Sequence, residues 1–78
     1  MPDLNIYPNP VSDVLHVDAG SDIHEISIQN VLGQEIKRFG FIRSNTAELN
    51  ISELNKGIYF LRVSCDNGAT AVRSFIKR

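Results

Sequence analysis

Gly57-Ile58-Tyr59-Phe60-Leu61-Arg62-Val63-Ser64-Cys65-Asp66-Asn67-Gly68 is the stretch whose reading decides the fold. From Tyr59 to Cys65 every odd position is apolar, while Arg62 and Ser64 fall between them. That is the two-residue period of a strand with one face in a core. Asn67-Gly68 follows at once. The pair readily adopts positive φ, so the spacing predicts a two-residue hairpin turn and an antiparallel return. The returning strand, Ala69 to Ile76, places Val72 and Ile76 on one face and Ala71 and Phe75 on the other. Ile58 and Phe60 likewise lie opposite the core-facing Tyr59, Leu61 and Val63. The hairpin therefore carries apolar side chains on both faces. Either one face packs inward and the rest is tolerated, or the closing strand offers edge and side chains to a partner by β-augmentation.

Outward from this hairpin the same period recurs. Val14 to Asp18 sets Leu15 and Val17 against His16, Glu25 to Gln29 turns Ile26 and Ile28 inward, and Ala47 to Ile51 repeats the alternation. Short strands near Leu4–Ile6 and Glu35–Arg38 bring the total to about seven. The expected fold is all-β: an immunoglobulin-like antiparallel β-sandwich with Greek-key connections and no disulfide. Turn chemistry agrees. Asn30-Val31-Leu32-Gly33 suits a type I turn, with Asn30 bonding back to the backbone and Gly33 in the left-handed region. Tyr7-Pro8-Asn9-Pro10 cannot lie inside a sheet, because its prolines lack amide donors; it reads as a corner moving the chain between sheets. Leu54, Gly57 and Tyr59 have the spacing of a tyrosine corner, in which a buried ring bonds backbone upstream through its hydroxyl. Leu61 stands where immunoglobulin domains carry cysteine, and there is no tryptophan.

With 78 residues there is room for one domain and one core. A 42% hydrophobic share, spread evenly, argues against disorder. No apolar run is long enough for a membrane-spanning helix, so no membrane insertion is expected. Met1-Pro2-Asp3 lacks the character of a signal peptide, so an export signal would lie upstream. Residues 1–36 hold six acids and no lysine or arginine; residues 37–78 hold all eight bases and three acids. Either the halves interleave in space, or the second forms a basic face for an acidic partner. Nucleic acid is not expected, since only Arg73, Lys77 and Arg78 cluster and the net charge is −1.

Catalytic chemistry finds no purchase. His16, His24 and Cys65 are too dispersed for a zinc motif, and the aspartates show no alternate-position calcium run. Serines occupy no nucleophile elbow, and no glycine-rich phosphate loop occurs. No enzyme, metal or cofactor is expected, and Cys65 reads as a small half-buried hydrophobe.

Taken in order, Tyr7-Pro8-Asn9-Pro10, Asn30-Val31-Leu32-Gly33-Gln34-Glu35-Ile36, Leu54 to Val63 and Phe75-Ile76-Lys77 resemble the C-terminal sorting domain of type IX secretion cargo. The resemblance runs from about Leu4 to Arg78. It implies a sandwich domain closing a larger exported protein of Gram-negative bacteria. The chain would be a single sorting domain over 1–78, excised from that protein. Cargo would cross the periplasm and then the outer membrane through the type IX translocon. A sortase-like cysteine peptidase would remove the domain and join the cargo to surface lipopolysaccharide. In that family the closing strand is tied to recognition, which maps here onto Arg73, Phe75, Ile76, Lys77 and Arg78. Pro8, Asn9, Pro10, Asn30, Gly33, Leu54, Gly57 and Tyr59 carry the structural motifs. Asn30 replaces a frequent aspartate and makes the same turn; Met1 has no counterpart and reads as an introduced start, leaving the cleavage point outside. The alternatives are an adhesion or carbohydrate-binding sandwich, for which only Tyr7 and Phe41 offer loop aromatics, and a passive spacer. Self-association through an edge strand is open.

Overall fold

A computed structural model describes residues 4–40 and 43–78. Seven strands follow one another: β1 (Asn5–Tyr7), β2 (Val14–Asp18), β3 (Ile23–Gln29), β4 (Glu35–Gly40), β5 (Thr46–Asn50), β6 (Gly57–Cys65) and β7 (Thr70–Lys77). They form two antiparallel sheets, ordered β1-β2-β5 and β4-β3-β6-β7, and no helix occurs among the described residues. Neighbours β2–β5 and β3–β6 are distant in sequence, which makes the connectivity Greek-key. This is the expected immunoglobulin-like sandwich, with Cys65 free and buried.

Alternation in the sequence becomes the core directly. Leu15 and Val17 from β2 meet Ile26 and Ile28 from β3, Leu61 and Val63 from β6 and Phe75 from β7. Burying each such side chain contributes about 1.5–3 kcal/mol. Leu4, Val11 and Ile51 close the cluster from outside the strands. Ser27 is buried although it lies on the outer face of β3, in register between Arg38 of β4 and Arg62 of β6.

The β3–β4 turn forms as read. Gly33 N donates to Asn30 O at 3.0 Å, and Gly33 has φ +84°. Asn30 Oδ1 accepts from Leu32 N at 2.9 Å and Gln34 N at 3.0 Å. The β6–β7 turn differs from expectation. Gly68 N donates to Cys65 O at 3.0 Å and Cys65 N to Ala69 O at 2.8 Å, so the loop has three residues, Asp66 to Gly68. Asn67 keeps negative φ and Gly68 alone takes +87°. A type I turn closed by a left-handed glycine serves here because Asn67 Oδ1 accepts from Ala69 N at 2.9 Å, which fixes the corner without a second positive φ.

The Tyr7–Pro10 corner also differs from expectation, since it does not pass the chain from one sheet to the other. It joins β1 to β2, two neighbours in one sheet. Between them the chain swings out to touch β7 of the other sheet at Val11, then returns. Both Tyr7–Pro8 and Asn9–Pro10 peptide bonds are cis.

Candidate recognition strand

β7 is an edge strand, paired along its whole length with β6 from Gly57↔Lys77 to Ser64↔Thr70. Its odd residues bond to β6, so its even residues aim their backbone groups at the open edge. Part of that edge is covered from within the chain. Val11 N donates to Ile76 O and Arg78 N to Val11 O, each at 2.9 Å. Asn9 adds the contacts that a neighbouring strand would make: its Oδ1 accepts from Ile76 N at 3.0 Å and its Nδ2 donates to Ser74 O at 3.5 Å. Pro8 and Pro10 flank Asn9 and help to set that carboxamide against the strand.

The five candidate recognition residues divide sharply. Phe75 is 1% exposed and Lys77 7%. The Phe75 ring stacks on Tyr59, with centroids 5.7 Å apart, and Tyr59 Oη donates to Asn55 O at 2.7 Å. Leu54, Gly57 and Tyr59 thus form the tyrosine corner that the spacing indicated, and it grips Phe75. The Lys77 stem is enclosed and its Nζ donates to Arg78 O at 2.8 Å. Arg73, Ile76 and Arg78 are exposed, and Arg73 Nη1 donates to Val72 O at 3.0 Å. A partner approaching the folded domain meets those three side chains and not the other two.

Asn30 and Gly33 lie elsewhere, in the β3–β4 hairpin. The remaining chemistry-bearing residues are likewise apart. His16 stacks on Tyr7 with centroids 5.1 Å apart, while His24 Nδ1 lies 3.6 Å from Asp66 Oδ1. Burial, then the carboxylates of Asp66 and Asp22, pushes the Cys65 thiol up from its ordinary value. Among the described residues no group of three or more His, Cys, Asp or Glu side chains is placed to hold a metal. Phe41 lies outside the described residues.

Charges interleave in part. Arg38 bridges Glu35 and Glu25 at 2.8 and 3.4 Å, and the bond to Glu35, then the Glu25 charge, raises its pKa further. Lys37 meets Glu53. Arg62, Arg73 and Arg78 join no ion pair among the described residues. The cover on the β7 edge was the feature missing from the sequence reading. Its only trace there was a polar amide between two prolines.

A family model described as the secretion system C-terminal sorting domain matches residues 5–78. No curated protein matches the sequence. Among solved structures, the chain is similar to PorZ of Porphyromonas gingivalis, described as an essential bacterial surface component of the type-IX secretion system. The TM-score is 0.76 at 14% identity, over 97% of this chain and 11% of PorZ. CopC of Methylosinus trichosporium OB3b follows at TM-score 0.54 and 16% identity, over 95% of this chain and 90% of CopC. At such identities these likenesses establish the fold alone. The chain spans about a tenth of the PorZ chain.

Proposed function

The chain belongs to the secretion system C-terminal sorting domain family, and from that premise we propose that it directs an N-terminally fused cargo across the outer membrane through the type IX translocon. Cargo in transit occupies the periplasm. A sortase-like cysteine peptidase then removes the domain and attaches the cargo to the cell surface. The domain is a substrate and address, with β7 as the element that is read. The match across residues 5–78 carries this reading, because it takes in the corner, the turn, the tyrosine corner and the closing strand together.

Within that reading Arg73, Ile76 and Arg78 make direct contact with the machinery. Phe75 and Lys77 hold the strand in position from inside the sandwich. Fusion of the domain to a periplasmic reporter tests the proposal. The reporter reaches the surface in a host with an intact translocon and stays periplasmic when the translocon is deleted. Retention in the competent host would overturn it.

A further inference from the structure

The outer face of β6 and β7 carries an apolar patch that the sandwich does not use. Ile58 and Ile76 are directly opposed across the strands and are 52% and 48% exposed. As a pair that does not exchange backbone bonds, they lie close together. Phe60 and Val72, exposed on the same face, extend the patch along the strands. Large apolar side chains grouped in this way mark contact surfaces more than scattered ones do.

Two further observations select the occupant. Arg62 stands directly opposite Val72 on the patch face, while Arg73, opposite Leu61, lies on the other face at the strand edge. Neither has an acidic partner among the described residues. Acids elsewhere on the same sheet, Glu25 and Glu35, are already engaged by Arg38. At Val72–Arg73 the strand edge therefore offers an apolar group on one face and an uncompensated positive charge on the other. Next to it the β7 edge is open. Asn9 and Val11 cover it from Ser74 O to Arg78 N, whereas the amides of Thr70, Val72 and Ser74 face outward with no backbone partner among the described residues. A lipid surface could satisfy the apolar groups and the charge but supplies no backbone to fill a strand edge.

We propose that the outer face of β6–β7, with the open stretch of edge at Thr70–Ser74, docks an extended polypeptide segment in which apolar residues alternate with carboxylates. The segment adds a short strand beside Val72. Its apolar side chains extend the patch on the outer face, and its carboxylates, set on the opposite face by the two-residue period, meet Arg73. The Arg73 guanidinium leaves Val72 O for a carboxylate, freeing that carbonyl for the incoming strand. Assigning the segment to export machinery rests on the sorting proposal; the chemistry of the surface does not.

The test is titration of the isotopically labelled 78-residue chain with a short valine–glutamate alternating peptide, a valine–lysine counterpart and anionic phospholipid vesicles. The glutamate peptide shifts the amide resonances of Val72 and Ser74 and the ring signals of Phe60; the lysine peptide does not. Reversing the edge charge (Arg73→Glu) weakens the glutamate peptide by about tenfold or more and favours the lysine peptide, as expected where a charge beside the edge chooses the partner. Equal response to both peptides, shifts confined to other residues, or a response to vesicles alone would overturn the proposal. Reporter export separates the two readings: binding without export counts against sorting, and export without binding counts against this surface.

Discussion

Asn9 Oδ1 lies 3.0 Å from Ile76 N, a contact between residues separated by 67 positions. With its Nδ2 near Ser74 O, the side chain presents β7 with an acceptor and a donor in the manner of a paired strand. A strand edge left open is a template for pairing with other chains, and here a single carboxamide closes part of it. Val11 continues the cover with two true backbone bonds.

Replacing Asn9 by Ala removes the acceptor and leaves the Ile76 amide facing water. The expected cost is about 1 kcal/mol. Amide exchange at Ile76 accelerates by more than the global loss of stability explains, while Phe75 and Arg73, bonded to β6, follow the global change. Native-state hydrogen exchange measures the difference. Unchanged protection at Ile76 would mean that Val11 alone covers the edge.

Tyr59 Oη, 2.7 Å from Asn55 O, anchors a ring that also stacks on Phe75. Tyr59→Phe keeps the stack and removes the bond, at a cost of about 1–2 kcal/mol. For a domain of this size each kcal/mol lowers Tm by about 4–8 °C. A thermal melt checks the value. The far-ultraviolet circular dichroism of the folded state stays the same.

Phe75 and Ile76 are adjacent yet take opposite parts. Phe75→Ala empties the centre of the sandwich and costs about 3–5 kcal/mol. That is a large fraction of the roughly 5–10 kcal/mol that a small domain holds. Its effect on reporter export is therefore an effect of unfolding. Combining Arg73→Ser, Ile76→Thr and Arg78→Ser changes only exposed side chains, with each expected to alter stability by about 0.5 kcal/mol or less. Under the sorting proposal the triple variant melts near the parent temperature and strands the reporter in the periplasm. Export at the parental level would remove these side chains from the recognised set.

Cys65 adds a pH dependence. Its folded-state pKa lies above the ordinary value, because burial, Asp66 and Asp22 all disfavour the thiolate. A raised pKa means that the folded form holds its proton more firmly than the unfolded form. The associated stability is present in full below the unfolded thiol's pKa of about 8.5 and is lost as pH rises through the folded value. Stability of the parent minus that of a Cys65→Ala variant should fall between neutral pH and about pH 10. Chemical denaturation across that range checks it. A flat difference would show that the thiol ionises equally in both states.

Strands and local turns were legible because their causes are local. Alternation fixed the buried faces of β2, β3 and β6, and Asn30-Val31-Leu32-Gly33 carries its own bonds within a few residues. Tyr59 was legible for the same reason, since its partner Asn55 lies in the same segment. The length of the β6–β7 loop was not. Asn67-Gly68 is compatible with two turn types, and the Asn67 side chain decides between them by bonding Ala69 N. Nor did the pattern announce the burial of Lys77. A lysine in an edge strand reads as exposed, but the register places it on the same inward face as Phe75 and beside Val11. Pairing of Asn9 and Val11 with β7 depends on tertiary closure, for which sequence periodicity carries no signal.

That closure has a consequence for timing. Asn9 and Val11 are made early, while Ile76 and Arg78 are the last groups that their bonds require. A nascent chain that has not reached Ile76 can form hairpins but cannot join its opening segment to its closing strand. Contacts of such long separation also form slowly once they become possible. The seal on β7 therefore waits until Ile76 and Arg78 have been added, and a chain cut short before Ile76 leaves that edge unfastened.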